Sequence, residues 1–331
     1  MKKIRMAFFA LATLALLATS TACGGGGGGG SDDDDATPVA ESGSTGTGSG
    51  SSGAGSGSTS SGSGSGSGSS GGSVSTPAVT VSGAVSGSSV FIAGRSVEIW
   101  ARWCCDHEVT QSEYNSVMGS NPSYFSSNPA SGETQANRPV ESVSWYDALV
   151  YCNKKSAQAG RTPCYKVNGN ADTSQWNYTP HSSSSISGTI TCDFTADGYR
   201  LPTEAEWEYF ARGGNTSNSN QTTYSGSNTI GSVAWYDNNS GNKTHEVKKK
   251  AANSLGLYDM SGNVYEWCWD WYGSISTSTP FAGAASGSYR VFRGGSWYDN
   301  ASHCTVSSRF NFDVNSRDFI YGFRVVCSRS E

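Results

Sequence analysis

The sequence has no surplus of positive charge and no nucleotide-binding pattern. It carries 22 lysines and arginines against 27 aspartates and glutamates, which gives a net charge of −5. Binding to nucleic acid requires a concentrated basic face, so no nucleic-acid partner is expected. The chain also lacks an alternation of strands with helices, a glycine-rich phosphate loop and an internal repeat. These absences argue against parallel α/β and solenoid architectures.

The N-terminal apolar run, Met6–Ala18, is shorter than the ~20 residues that a membrane-spanning helix needs. It follows basic residues and leads through small residues to Cys23, which is the pattern of an export signal. Cys23 resembles the lipidated cysteine of a bacterial lipobox, although Ser20 stands where a larger aliphatic residue is usual. The alternative is ordinary signal cleavage that leaves a spare thiol. We expect a lipoprotein signal peptide at residues 1–22 and a lipid anchor at Cys23 on a bacterial outer membrane or cell surface.

Glycine and serine dominate residues 23–76. A chain of this composition cannot bury enough apolar surface to offset the entropy lost on ordering, so this stretch is predicted to be a disordered stalk. From residue 77 the composition turns to tryptophan, tyrosine, valine and cysteine, and all ten tryptophans lie in this part. We expect one folded domain over residues 77–331.

Three helices are predicted by the same start signal. Thr110 and Thr203 each stand three residues before a glutamate, which is a capping box, and Ser144 stands three residues before Asp147. Short strands are predicted at 90–92, 99–103, 187–194 and 290–292, separated by turn residues. Few helices, short strands and long irregular loops indicate an α+β fold with mostly antiparallel pairing.

The cysteine content predicts disulfide bonds. Nine cysteines in an exported chain leave an even eight once Cys23 is set aside. Cys164 and Cys192 flank one insertion and could staple it. Cys152 could meet Cys327 if the C-terminal strand lies beside the second helix, but spacing alone does not fix the connectivity.

Five motifs occur in a fixed order along the domain. They are Glu108–Tyr114, Arg138–Trp145, Gly198–Tyr209, Gly256–Trp267, and Arg293–Trp297 followed by Gly322–Arg324. Together they resemble the formylglycine-generating enzyme, or sulfatase-modifying factor, family over about residues 88–327. The resemblance implies a C-type-lectin-like fold with small antiparallel sheets, two to three helices and much irregular loop.

The enzymatic members of that family oxidise a sulfatase cysteine with a pair of active-site thiols, which can hold copper(I). Here Cys304 matches the first thiol, whereas Arg309 stands at the second. A guanidinium cannot ligate a metal or act as a redox thiol, so the copper-dependent oxidase is the disfavoured alternative. Cys304 is then a small buried hydrophobe.

The resemblance also implies a calcium site at Asn263, Val264 and Glu266, because an amide, a main-chain carbonyl and a carboxylate are suitable oxygen donors. The alternative is that Asn263 and Glu266 bond the backbone of irregular loops without an ion. No cofactor is required for the expected function.

A branch of this family serves as the variable protein of diversity-generating retroelements, in which template adenines are mutated. Changing only the adenines of AAC or AAT codons can never give Trp, Met, Lys, Gln or Glu. None of these five occurs from Tyr298 to Tyr321, although Trp, Lys and Glu are frequent elsewhere in the domain. The alternative is an ordinary loop that happens to lack them. The pattern favours a variable segment at about residues 292–321.

Aromatic and small polar residues on an irregular backbone are typical of antibody-like binding loops. We expect about two thirds of the candidate ligand-binding residues to face outward, as in such loops, and expect Trp297, Arg309 and Arg317 to brace the segment. The candidates are Phe292, Tyr298, Asp299, Ser302, His303, Ser308, Phe310, Asn311, Phe312, Asp313, Asn315, Ser316, Asp318, Phe319, Ile320 and Tyr321.

Three functions remain open at this point. The favoured one is a surface-displayed lipoprotein that binds an external ligand, either a protein or a glycan, through the variable segment. The others are the oxidase and a structural lipoprotein without a specific ligand.

Overall fold

The computed structural model describes residues 102–214, 221–276 and 278–328, together with the backbone of three strands that precede residue 102. The predicted signal peptide, Cys23, nearly all of the stalk and the strand predicted at 90–92 lie outside these residues. Within the described part of the chain, no helix is long and apolar enough to cross a membrane.

Four α-helices, three single-turn 3₁₀ helices and twelve short strands make up the regular structure of the described residues. The helices are α1 (Gln111–Met118), α2 (Trp145–Gln158), α3 (Glu204–Ala211) and α4 (Ile230–Val233). The strands are β1 (Ser73–Thr76), β2 (Val79–Ser82), β3 (Ser96–Ile99), β4 (Arg102–Cys105), β5 (Tyr165–Val167), β6 (Ile190–Cys192), β7 (Tyr199–Arg200), β8 (Tyr265–Trp271), β9 (Arg290–Arg293), β10 (Phe310–Phe312), β11 (Tyr321–Gly322) and β12 (Val326–Ser328).

The strands form small sheets, and irregular loops fill the spaces between them. One four-stranded sheet has the order β1-β4-β12-β7 and is antiparallel throughout, and β2-β3 and β5-β6 are antiparallel pairs. The second four-stranded sheet has the order β10-β9-β8-β11. In it β11 runs parallel to β8, because a long crossing segment rather than a hairpin delivers β11 to its edge. The α+β, C-type-lectin-like fold class is therefore confirmed, with one parallel pair as an exception to the expected antiparallel pairing.

The stalk boundary predicted at residue 76 differs from the structure. Ser73–Thr76 pair with Arg102–Cys105 along the edge of the first sheet. Four residues of the predicted stalk are thus ordered as β1, because β4 offers an open sheet edge to their backbone.

The predicted helix starts are confirmed at all three positions. The side chains of Thr110, Ser144 and Thr203 each accept the third backbone N–H of their helix, and the acid at that position accepts the N–H of the cap. Helix α1 ends at Gly119, which adopts the left-handed φ of 76° that glycine tolerates best. The motifs that carry the family resemblance are thus also the local signals that position α1, α2 and α3.

Buried ion pairs connect the motifs across the core. Arg200 of β7 pairs with Glu206 of α3 at 2.7 Å. Arg324 donates to both oxygens of Glu266 in β8, at 2.6 and 2.7 Å. Breaking a buried pair by removing one partner typically costs about 3–5 kcal/mol, so these pairs tie the sheets and α3 into one fixed frame.

Neither of the two predicted disulfide bonds is present among the described residues. Cys152 and Cys192 are free thiols. Cys152 lies near Cys164 and Cys192, whereas Cys327 lies in β12 opposite Trp103 and Tyr199. Helix α2 therefore turns its thiol toward the β5–β6 pair and not toward the C-terminal strand.

Candidate ligand-binding surface

The segment from Tyr298 to Tyr321, called here the variable segment, runs between the two edges of the second sheet. It leaves β9, pairs again with β9 as β10 on one edge, and then crosses to β11 beside β8 on the opposite edge. Local side-chain bonds replace regular structure along the way. The amide oxygen of Asn300 accepts the Ser302 N–H at 3.1 Å, and a carboxylate oxygen of Asp313 accepts the Asn315 N–H at 2.8 Å. The segment is irregular in sequence and in structure, yet it is anchored at both ends.

Three side chains brace the segment from beneath, as predicted. Arg309 donates to both oxygens of Glu204 at 2.6 and 2.7 Å. Arg317 donates to Asp147 at 2.8 Å. The buried indole of Trp297 donates to the Phe319 carbonyl at 3.0 Å. Both arginines therefore end on frame carboxylates and not in solvent.

Twelve of the predicted ligand-binding side chains are at least partly accessible. They are Tyr298, Ser302, His303, Ser308, Phe310, Asn311, Phe312, Asp313, Asn315, Ser316, Asp318 and Phe319. Tyr298 is 50% exposed and Phe312 is 44% exposed, which is unusual for rings of that size. These residues lie between Tyr298 and Phe319, interrupted by buried positions, and their side chains are aromatic, small polar or acidic.

The other four predicted positions are buried and must be corrected. Phe292, Ile320 and Tyr321 are each only 5% exposed, and Asp299 is 7% exposed. Phe292 and Tyr321 pack on Trp267 in the second sheet, and the Ile320 carbonyl accepts the Tyr265 N–H. Phe292 and Tyr321 are core residues because they lie in β9 and β11, and Ile320 directly precedes β11. Asp299 is buried because its carboxylate bonds Ser296 and His303. An irregular sequence pattern reveals neither fact.

Sequence reasoning missed one aromatic residue of this surface. Tyr124, in the loop after α1, is 71% exposed. The centre of its ring lies 5.6 Å from that of Phe319, and the centre of the Tyr298 ring lies 6.4 Å from that of Phe319. We call Tyr124, Phe319 and Tyr298 the aromatic row. The available signal was an aromatic dipeptide, Tyr124-Phe125, inside a loop of asparagine, proline and serine.

Cys304 and Arg309 do not fit a copper–thiol centre. Cys304 is fully buried, and burial raises the pKa of its thiol well above the ordinary value, so it stays protonated. A β-carbon added at Gly295 would lie 2.6 Å from the Cys304 sulfur. The backbone of Gly295 therefore packs directly against the thiol. A buried neutral thiol and an ion-paired guanidinium do not form a pair of soft metal ligands.

The three residues predicted to bind calcium do not fit a calcium ion either. Both carboxylate oxygens of Glu266 accept hydrogen bonds from Arg324, and one also accepts the Trp207 indole N–H at 2.7 Å. The amide oxygen of Asn263 accepts the His245 N–H at 2.9 Å, and its NH₂ group donates to Glu108. A fixed guanidinium already neutralises Glu266. Asn263 bonds the backbone of His245, as in the alternative that the sequence left open, whereas Glu266 bonds the side chains of Arg324 and Trp207 in the core.

Cys105, Asp106 and His107 bring three potential metal-ligand atoms together. Burial opposes protonation of the imidazole, but hydrogen bonds with Asp106, Cys105 and Glu113 raise the pKa of His107 to about 12. The imidazole is thus held as a cation between the carboxylates of Asp106 and Glu113. This cluster is therefore an ion-pair network, joined by the Lys248 ammonium 2.6 Å from Asp106.

Comparison with known proteins agrees with this geometry. The family profile described as "Sulfatase-modifying factor enzyme 1-like domain" matches residues 80–329. The solved structure of Treponema denticola variable protein 1 is similar at 42% identity and a TM-score of 0.71, covering 78% of this chain and 95% of that one. The chain is also 36% identical over 275 residues to the chaperone protein LppX of Paenibacillus barcinonensis, covering 78% of this chain and 91% of that protein.

Enzymes of the same family match a smaller part of the chain. The formylglycine-generating enzyme of Streptomyces coelicolor is 36% identical over 148 residues, which cover 38% of this chain and 46% of the enzyme. The resemblance to the formylglycine-generating enzyme family, expected from the five motifs, and to its variable-protein branch, expected from the C-terminal segment, is confirmed.

Proposed function

The chain belongs to the sulfatase-modifying factor enzyme 1-like family, and we propose that within this family it is a non-catalytic binding protein whose ligand site is the variable segment. The similarity to a variable protein supports a diversified scaffold. The ligand is an external macromolecule, and the binding residues are the twelve accessible side chains together with their neighbours.

The variable segment contains two groups of side chains, accessible ones that could contact a ligand and anchoring ones that bind the frame, and this separation is the main support for the proposal. Its accessible side chains are of types that adenine mutation of asparagine codons can produce. Its anchoring side chains, by contrast, end on buried frame groups such as Glu204 and Asp147. A surface of this kind can change its contacts without changing the frame that holds it.

The chemistry of Cys304 supports the non-catalytic assignment. An oxidase of this family type needs a second thiol, and Arg309 occupies that position, with its Nε and Nη2 donating to Glu204 and its Nη1 donating to the Gly273 carbonyl. A copper-dependent oxidase is therefore the weaker candidate, supported only by family membership and by the enzymes among the relatives.

Display on the cell surface is the second part of the proposal. The N-terminal signal, Cys23 and the glycine/serine stretch form an anchor and spacer of the kind that holds a binding domain away from a membrane. Metabolic labelling with a palmitate analogue tests this part: label should be incorporated by the wild-type chain and lost in Cys23→Ser.

Diversification is tested on DNA. The 3′ end of the gene is sequenced from many isolates and compared with a neighbouring near-identical repeat and its reverse-transcriptase gene. Mismatches are expected at codons of the accessible positions and at template adenines, whereas codons for Phe292, Ile320 and Tyr321 should stay constant or conservative. Mismatches spread evenly over all four template bases would contradict the proposal.

A further inference from the structure

A cluster of five aromatic rings joins the variable segment to the constant part of the chain. The aromatic row forms its outer layer, and the rings of Phe125 and Trp297 lie beneath the row. Phe125 packs edge-on against Trp297, with 5.2 Å between the ring centres, and the centre of the Trp297 ring lies 5.6 Å from that of Phe319. Exposure falls from 71% at Tyr124 and 50% at Tyr298 to 5% at Trp297. The outer rings are therefore supported from below and open to a ligand.

The loop that carries Tyr124 is fixed on both sides of that residue. The Ser123 hydroxyl oxygen accepts the Glu141 N–H at 3.2 Å, and the Phe125 N–H donates to the Glu141 carboxylate at 2.7 Å. The Phe125 carbonyl also accepts a hydrogen bond from the Gln135 amide at 2.7 Å. Both neighbours of Tyr124 are thus bonded to one buried residue. Because an exposed ring on a fixed loop loses little entropy when it binds, Tyr124 is preorganised as a contact residue.

The backbone beside Phe319 is fixed to the same part of the frame. The indole N–H of Trp297 donates to the Phe319 carbonyl at 3.0 Å, and the Ser142 N–H donates to the Asp318 carbonyl at 3.0 Å. Ser142 directly follows the glutamate that fixes the loop after α1. These bonds use backbone carbonyls of the variable segment, so they do not depend on which side chains stand at positions 318 and 319. The frame therefore sets the distance between this loop and the variable segment.

The exposed ring of Tyr124 is continuous with the proposed ligand site. Its centre lies 5.6 Å from that of Phe319, which is one of the accessible positions of the variable segment. A macromolecular ligand that covers Phe319 and Tyr298 must therefore also cover Tyr124, the most exposed of the large rings that the structure describes. Mutation confined to the variable segment leaves Tyr124 unchanged, so this contact is available to every version of the segment.

The angles between the rings favour a protein over a glycan. Tyr124 is tilted by 45° against Phe319 and stands at 89° to Phe125. Tyr298 stands at 81° to Phe319. Rings set at such angles leave wedge-shaped clefts, whereas a sugar ring stacks with its flat face on a single plane. A cleft of this kind takes the edge of an aromatic ring or the end of an aliphatic side chain, because aromatic rings favour edge-to-face contacts.

We propose that the ligand of the variable segment is a protein that inserts an aromatic or branched aliphatic side chain between Tyr124 and Phe319, with Tyr124 as the constant contact residue of the site. The frame supplies this contact to every sequence of the variable segment, and the variable side chains around it select the partner. Aromatic anchors of this kind usually carry most of the binding energy of a protein interface. This inference rests on the proposed function of the variable segment.

The test pans a random dodecapeptide phage library against the purified chain and, separately, against a triple variant that combines Tyr298→Asn, Ser302→Tyr and Phe312→Ser. The two chains should enrich different peptides, and both sets should be richer in aromatic and branched aliphatic residues than the unpanned library. Introduced into either chain, Tyr124→Ala should weaken the binding of that chain's best synthetic peptide roughly tenfold, as expected for a lost aromatic contact residue.

Two matched variants separate the ring of Tyr124 from other effects. Tyr124→Phe keeps the ring and removes only the hydroxyl, so it should bind both peptides nearly as well as the unmodified chains. Tyr289→Ala removes a ring that is 49% exposed but lies outside the aromatic row and the variable segment, and it should leave both affinities unchanged. Melting curves of each variant verify that a lost interaction is not a lost fold.

The outcomes separate this inference from the proposed function. If Tyr124→Ala leaves both affinities unchanged, or weakens only one of them, while the triple variant no longer binds the wild-type peptide, the constant contact is refuted and the variable segment remains the binding site. A loss in Tyr124→Phe as large as that in Tyr124→Ala would refute insertion against the ring. Failure to enrich any peptide, or binding to neutral glycans on an array in their place, would overturn the protein partner. Peptide binding that no substitution in the variable segment affects would overturn the proposed function itself.

Discussion

At the scale of single residues, Glu141 connects the buried frame to the exposed loop that carries Tyr124. Its buried carboxylate accepts the Phe125 N–H at 2.7 Å and the Ser142 hydroxyl at 2.8 Å, and so holds the loop that carries Tyr124. Burial raises the pKa of Glu141 from 4.5 to about 7, because the two hydrogen bonds do not fully replace water around the charged form.

This shift predicts how stability changes with pH. The folded-state pKa of Glu141 lies above its unfolded value, so its contribution is fully present below pH 4.5 and is lost as the pH rises through about 7. Denaturant unfolding at pH 5 and pH 8 should show a lower free energy of unfolding at pH 8, and Glu141→Gln should reduce that difference. Part of it should persist, because the pKa of Asp259 is raised in the same direction, to about 6. Equal pH slopes in the wild type and Glu141→Gln would contradict the prediction.

At the scale of secondary structure, α3 is the element on which the frame depends most. Glu204 holds Arg309, Glu206 holds Arg200, and Glu208 holds Arg293, so consecutive carboxylates of one short helix bind three arginines from other parts of the chain. The helix is only eight residues long, and helices of that length are not stable alone. Its capping box and these ion pairs therefore fix its position.

Removing the cap of α3 should weaken the whole frame. Thr203→Ala takes away the hydroxyl that accepts the Glu206 N–H and should cost about 1 kcal/mol in the free energy of unfolding, the usual value for a lost N-cap. Thr229→Ala is the matched control, because Thr229 stands at the N-cap of α4 without a side-chain cap bond. It should change stability by less than about 0.5 kcal/mol, as exposed positions do. Equal losses in the two variants, measured by urea unfolding, would show that the Thr203 hydroxyl does not act as a cap.

At the scale of the whole molecule, features that depend on residues close in the sequence, such as helix caps, could be predicted. Features that depend on contacts between distant parts of the chain, such as burial in the second sheet, could not. The caps at Thr110, Ser144 and Thr203 follow from residues three positions apart, so they could be predicted from the chain. The burial of Ile320 and Tyr321 could not, because it arises when β11 joins β8 across a loop without any period. Tyr124 was missed for the same reason: only the fold places the loop after α1 beside Phe319.

The same distinction predicts which positions of the variable segment and of the preceding strand β9 can change. Joint replacement of Tyr298, Ser302, Phe312 and Asp313 by alanine should move the free energy of unfolding by no more than about 0.5 kcal/mol per site, because all four are exposed. Phe292→Ala should instead cost about 3–5 kcal/mol, the usual loss for a buried phenylalanine. Phe312→Ala is its matched comparison, since the substitution is the same and only the exposure differs, 44% against 5%.

Thermal melting of Phe292→Ala and Phe312→Ala therefore tests whether the stability of the domain comes from the frame or from the outer face of the variable segment. If Phe312→Ala destabilised the protein as much as Phe292→Ala, the outer face of the variable segment would be core, and selection for stability would oppose its diversification. If only Phe292→Ala does so, the frame supplies the stability of the domain and the outer face is free to change, as a diversified binding surface requires.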